Sequence, residues 1–278
     1  MMTSILALTL LGPSSALPLE SRGDQGSAPS TDVRRFEGVA YTENGELAYR
    51  ETHEVHTRAG RLVRSVTEYF DPSGQRIGEL LSNYERDPFA PDYEFRDETG
   101  RVVEGAELKR DGLRLFYQGR GRFLPFSGNQ FRADRATDDR GLNEREKDKL
   151  EADSQSNVAR DTERLVVGQG LHQLARARMA ELARGESLVV RFAIPSRFDS
   201  YLFRIEPVKT DDPQILRLRI AIDSWVLSLV APSIEVDYDP VRRRLLAYRG
   251  VSNLTNANGE SMQVSIRYSY PTGGRYAQ

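Results

Sequence analysis

A chain of 278 residues with 39 Lys or Arg, 41 Asp or Glu and a formal charge of −2 lacks the basic excess that a general nucleic-acid binder needs to neutralise phosphates. It contains no cysteine, which excludes disulfides, thiol catalysis, thiolate metal sites and a lipid-modified cysteine within these residues. Its 38% hydrophobic and 29% charged residues suit a protein that buries a core in water.

Residues 5–11 form a short apolar run, broken by Gly12 and Pro13 and followed by Ser14-Ser15-Ala16. Small side chains at −3 and −1 of a cut after Ala16 give the layout of a secretory signal peptide, although no Lys or Arg precedes the run. The run is far too short to span about 30 Å of hydrocarbon. Residues 1–16 are therefore read as a signal peptide, with export to the periplasm of a Gram-negative bacterium and no transmembrane segment. Residues 17–34, rich in Ser, Gly, Pro and charge, read as a flexible tether. A single β-rich domain is expected over 35–278.

From residue 36 to 117, turn signals recur at Asn44-Gly45, Ala59-Gly60, Asp71-Pro72-Ser73-Gly74, Thr99-Gly100 and Asp111-Gly112. The segments between them are rich in Val, Thr, Tyr and Phe, so the spacing predicts hairpins in an antiparallel meander. Residues 134–160 carry dense charge of both signs without an apolar stripe and are read as a mobile insertion. Val167, Leu171, Leu174, Ala175, Met179 and Leu182 then fall at helical spacing, which predicts one amphipathic helix over 163–184. Arg184 and Gly185 supply its stop.

Strict alternation follows. Leu188, Val190, Phe192 and Ile194 share a strand face, as do Tyr201, Phe203 and Ile205, and then Leu216, Leu218, Ile220 and Ile222. Residues 235–239 and 245–249 predict a further hairpin, and Asn258-Gly259 turns the chain into a last strand. One-sided patterning of this kind belongs to antiparallel sheets. The fold class is mainly β (α+β): a meander or curved half-barrel sheet packed on one amphipathic helix.

No catalytic motif emerges. His53 and His56 are three apart in a strand, which sends them to opposite faces and not to one metal ion. Gly168-Gln169-Gly170 lacks the third glycine of a dinucleotide turn and reads as a helix entry. Residues 259–263 miss the final glycine of a nucleophile elbow. Arg191, Arg204, Arg217, Arg219 and Arg267 sit on the polar parity of their strands, which reads as a solvated face balanced by acids in preference to a face that attracts an anionic headgroup or polymer. Asn253-Leu254-Thr255 fits a glycosylation acceptor only as a tripeptide. No cofactor or metal is implied. The most apolar stretch beyond the leader, 222–232, holds the only Trp, Trp225. It serves either as a core plug or as one wall of an apolar pocket.

This order of β-meander, helix and further antiparallel strands resembles the half-barrel of periplasmic lipoprotein carriers of the LolA/LolB type. Residues 223–253, with Trp225, Pro232, Tyr238 and Tyr248-Arg249-Gly250-Val251-Ser252-Asn253, also resemble uncharacterised bacterial periplasmic β-rich proteins. The resemblance is architectural and carries no site residue. In such carriers a curved sheet shelters acyl chains. It implies an exported envelope protein that takes a lipid or other amphiphile in the sheet concavity, with Trp225, Phe192, Tyr201, Phe203, Leu171 and Met179 as the expected lining. The alternatives are an envelope hydrolase whose site assembles only in three dimensions, and a structural or protein-docking module.

Overall fold

A computed structural model of the protein describes residues 31–126, 164–223, 233–255 and 260–271. The signal-peptide, insertion and Trp225 readings therefore lie outside the described residues. Within them the first eight strands are β1 (Thr31–Thr42), β2 (Leu47–Arg58), β3 (Arg61–Phe70), β4 (Arg76–Asn83), β5 (Asp92–Asp97), β6 (Val102–Leu108), β7 (Gly112–Tyr117) and β8 (Arg120–Pro125). Next come β9 (Leu165–Val167), helices α1 (Gly170–Ala177) and α2 (Met179–Ala183), and β10 (Leu188–Ile194). The series closes with β11 (Asp199–Val208), β12 (Leu216–Ile222), β13 (Ile234–Asp239), β14 (Arg244–Thr255) and β15 (Ser261–Ser269). β1 opens at Thr31, opposite Arg58, so residues 31–34 are strand and not tether.

All of these strands join one sheet. From β8 the order runs back to β1, crosses to β15 and descends to β9. Two meanders thus meet at the β1–β15 ladder, and every pairing is antiparallel save β9 on β10. Local chemistry sets the hairpins. Ala59 and Gly60 both take positive φ, the two-residue turn whose twist matches its flanking strands. Between β3 and β4 the Asp71 carboxylate accepts from the Ser73 and Gln75 N–H groups, and Asp97 repeats this with Thr99 and Arg101 between β5 and β6. That recurrence holds two successive turns to one geometry.

The sheet curls until its ends touch through side chains. A one-turn 3-10 helix at Pro195–Arg197, after β10, packs against β6 and β7. Phe198 joins the core there, with the Arg120 guanidinium 5.4 Å from its ring centre. No ladder joins β8 to β9 among the described residues. One core cluster spans this seam, bringing Leu113, Leu115 and Phe95 against Leu165, Val167 and Ala193. A second gathers Leu174, Met179 and Leu182 with Val190, Ile205 and Leu218. β9 lies between them: Leu165 and Val167 face the first, Val166 the second.

The single helix over 163–184 does not form. Leu165-Val166-Val167 pairs with β10 as a buried strand, Gly168 turns the chain at φ +52°, and the helical part breaks at Arg178. Burial on both faces of a β-prone tripeptide outweighs helical periodicity. The predicted stop holds: Gly185 adopts φ +96°, and the Glu186 N–H donates to the Glu181 carbonyl at 3.1 Å, a Schellman-type ending. No described helix is long and apolar enough to cross a membrane.

Candidate ligand cavity

The inner faces of β1 to β4, β14 and β15, with α1 as a further wall, enclose a cavity of about 970 Å³. Its lining follows from register. One row across the strands sets Phe36 beside His53, Thr67 and Leu80, and the next sets Tyr268 beside Gly38, Glu51 and Tyr69. A residue two positions along a strand faces the same side, so each inward position forms part of a stacked wall.

At its centre is a hydrogen-bonded array. His53 Nε2 lies 2.9 Å from Glu51 Oε2, and Nδ1 lies 2.9 Å from Thr67 Oγ1. Nε2 thus faces a carboxylate oxygen that can accept its hydrogen, and Nδ1 faces the Thr67 hydroxyl. Phe36 stacks on the imidazole at 4.3 Å. Glu51 fits because β1 offers glycine opposite: a Cβ on Gly38 would stand 2.9 Å from Glu51 Oε2 and 3.0 Å from the Tyr268 ring.

Tyrosines line the rest. Burial, and then the Glu51 charge, raise the Tyr49, Tyr69, Tyr248 and Tyr268 hydroxyls above the usual phenol range. They remain protonated donors at neutral pH. The Gly-Gln-Gly turn plants Gln169 in the wall, where its Oε1 accepts from Ser65 at 2.9 Å and Tyr84 at 2.8 Å. Gly170 is obligatory behind it, because a Cβ there would sit 1.8 Å from the Phe89 carbonyl oxygen. His172 of α1 pairs Nδ1 with the Tyr238 hydroxyl at 2.7 Å. Burial, then the Arg176 charge, push its pKa down to about 3 and leave it neutral.

The lining also includes Arg34, Arg35, Arg176, Arg242, Arg243 and Arg244, brought together from β1, α1, the β13–β14 turn and the first residue of β14. Arg35 pairs with Glu54 at 2.6 Å and Arg242 with Asp239 at 3.0 Å. Among the described residues Arg176 donates to neutral oxygens: Nε to the Arg243 carbonyl and Nη1 to Gln173 Oε1, both at 3.1 Å.

The Thr67-His53-Glu51 order is that of a hydroxyl, imidazole and carboxylate relay, but Thr67 is 1% exposed. Its oxygen belongs to the wall, where it fixes the imidazole rather than meeting a substrate. His56 points away from His53 and lies 3.5 Å from Glu54. No group of three or more metal-ligating side chains gathers among the described residues. On the outer face, Arg204 pairs with Asp223, Arg217 with Asp237 and Arg219 with Glu206, as strand parity predicts.

The lining expected from sequence lies elsewhere. Phe192 and Phe203 meet edge to face at 5.5 Å against the second core cluster, where Leu171 and the buried Met179 also pack. Tyr201 is the cross-strand partner of Phe192. None of the five lines this cavity, because apolar side chains of the two helices fill that half of the sheet. Sequence reading missed Glu51, His53, Thr67, Gln169 and Arg176. The available signal was parity: Glu51 and His53 share the inward side of β2 with the buried Tyr49.

The fold is thus a mainly β, open mixed sheet curled around a polar and aromatic cavity. No protein-family model and no curated protein matches the chain. Among solved structures it is similar to the β-barrel-like protein of the domain of unknown function DUF1849 from Brucella abortus. That similarity has a TM-score of 0.39 and 8% identity, over 86% of this chain and 97% of that one. It reaches an uncharacterised bacterial protein and gives no link to the LolA/LolB carriers.

Proposed function

We propose that the protein is an exported envelope protein that binds an amphiphilic molecule in the concavity of its sheet. The observation that carries this reading is the cavity of about 970 Å³, which lies at the upper end of the range for small-molecule sites. Its walls mix Phe36, Val55, Leu62 and Leu80 with six tyrosines, so a ligand needs both apolar body and polar groups. The site so proposed is a mixed one between β1–β4, β14 and β15.

The experiment is calorimetric titration of the full chain with oleate, beside native mass spectrometry of protein taken from its own host. One saturable site is expected. Val55, half-buried on the inner face of β2, should block entry when enlarged: Val55→Trp weakens binding about tenfold or more while the melting temperature stays near that of the parent. Absence of saturable binding by any single-chain amphiphile, with no co-purifying ligand, overturns the reading.

A further inference from the structure

Resting on that reading, we infer that Arg176 and Arg243 form a headgroup site, so that the ligand is an anionic amphiphile carrying a carboxylate or phosphate at the α1 side of the cavity. Several arginines of the cavity rim and outer face are matched to acids. Arg35 has Glu54, Arg242 has Asp239, and the outer face pairs Arg204, Arg217 and Arg219 with Asp223, Asp237 and Glu206. Arg176, half-buried in the cavity wall, is held differently. Among the described residues its hydrogen bonds go to a backbone carbonyl and an amide oxygen, and the guanidiniums of Arg243 and Arg34 lie close enough to act on it. Burial lowers its pKa, the Tyr238 and Tyr270 hydroxyls act against this, and the two neighbouring cations add to the lowering.

A partly buried cation among like charges is costly unless an anion completes the set. The scaffold spends two restraints to hold this one in place. The Arg243 carbonyl takes Nε, Gln173 takes one Nη1 hydrogen, and a guanidinium has five N–H donors in a fixed fork. The remaining donors suit the two oxygens of a carboxylate or phosphate. The accepting carbonyl is itself fixed by a built turn. Arg243 adopts φ +52° after Asp239 has accepted from the N–H groups of Val241 and Arg242. Arg243 is exposed and Arg176 half-buried, which places the charged site between solvent and the aromatic walls, where a headgroup belongs and an acyl chain does not.

The test uses the full chain and four probes: oleate, oleyl alcohol, oleylamine and inorganic phosphate. Oleate is expected to bind about tenfold or more tighter than oleyl alcohol, oleylamine weakest, and phosphate alone to compete only weakly with oleate. Arg176→Gln and Arg243→Gln should each narrow the gap between oleate and oleyl alcohol while leaving the alcohol's affinity within about twofold. Arg176→Lys should restore part of the gap. If Arg176→Gln lowers the melting temperature, the exposed Arg243→Gln carries the test. Equal binding of oleate and oleyl alcohol by the parent overturns the headgroup site and leaves the amphiphile reading standing. Binding of phosphate as tight as that of oleate reassigns the site to free anions. Failure of every probe overturns both.

Discussion

Gly38 and Glu51 face each other across the β1–β2 ladder, and the carboxylate occupies space that any other residue at 38 would claim. Gly38→Ala should therefore cost about 1–3 kcal/mol by crowding Glu51, Tyr268 and Ile266. Glu51→Ala should cost a similar amount by stripping His53 of its acceptor. Combined, the two should cost less than their sum, because the second removes the obstacle met by the first. Denaturant titration of the four proteins measures the coupling, and strict additivity would show that the two positions do not share space. His172 gives a second prediction. Its folded pKa, about 3, lies below the ordinary 6.5, so between these values the unfolded chain binds a proton that the folded chain refuses. Its contribution is complete above pH 6.5 and is lost as pH falls toward 3, with a slope of up to about 1.4 kcal/mol per pH unit. His172→Gln should flatten this part of the stability profile; an unchanged slope would assign it to other groups. At this scale strand parity made Glu51 and His53 legible as inward residues. It did not show that their side of the sheet stays hollow.

Among the elements, the segment from β9 to α2 departs most from expectation. Its apolar positions satisfy a helical stripe and a buried strand at once, and periodicity alone does not choose between them. The choice is made by β10, whose ladder receives residues 165–167, and by the Phe89 carbonyl. That oxygen accepts from the Val167 N–H at 3.1 Å and leaves no space for a side chain on Gly170. Gly170→Ala is expected to destabilise the protein by about 2 kcal/mol or more. It should also disturb Gln169, one residue away, and with it the Ser65 and Tyr84 hydrogen bonds. Thermal unfolding together with oleate affinity reads both effects; a variant as stable as the parent would mean that the 87–90 loop yields freely. The hairpins around Asp71 and Asp97 were legible because their turn chemistry is local. β9 was not, because its partners are brought to it by the rest of the chain.

For the whole molecule, the meander was legible from regular turn spacing and alternation, and so was its mainly β class. Where the hollow lies was not, since that depends on how far fifteen strands curl and which half the helices fill. Leu171 and Met179 looked like pocket residues beside Phe192 and Phe203 because all four are apolar and inward. The same property lets them pack and close that half.

The β1–β15 ladder has a consequence for assembly of the chain. Among the described residues every other strand pairing links neighbours in sequence, so 31–126 and 164–271 each form a meander, and this is the one strand ladder that joins them. It joins positions as distant as 38 and 268, and forming it late is the entropically favoured order. The protein should therefore behave as two complementary fragments. Produced together as separate chains divided between 126 and 164, they should co-purify as a one-to-one complex. Each produced alone presents a long unpaired strand, β1 or β15, and should aggregate. Two soluble fragments that ignore one another would show that the covalent connection, and not this ladder, unites the halves.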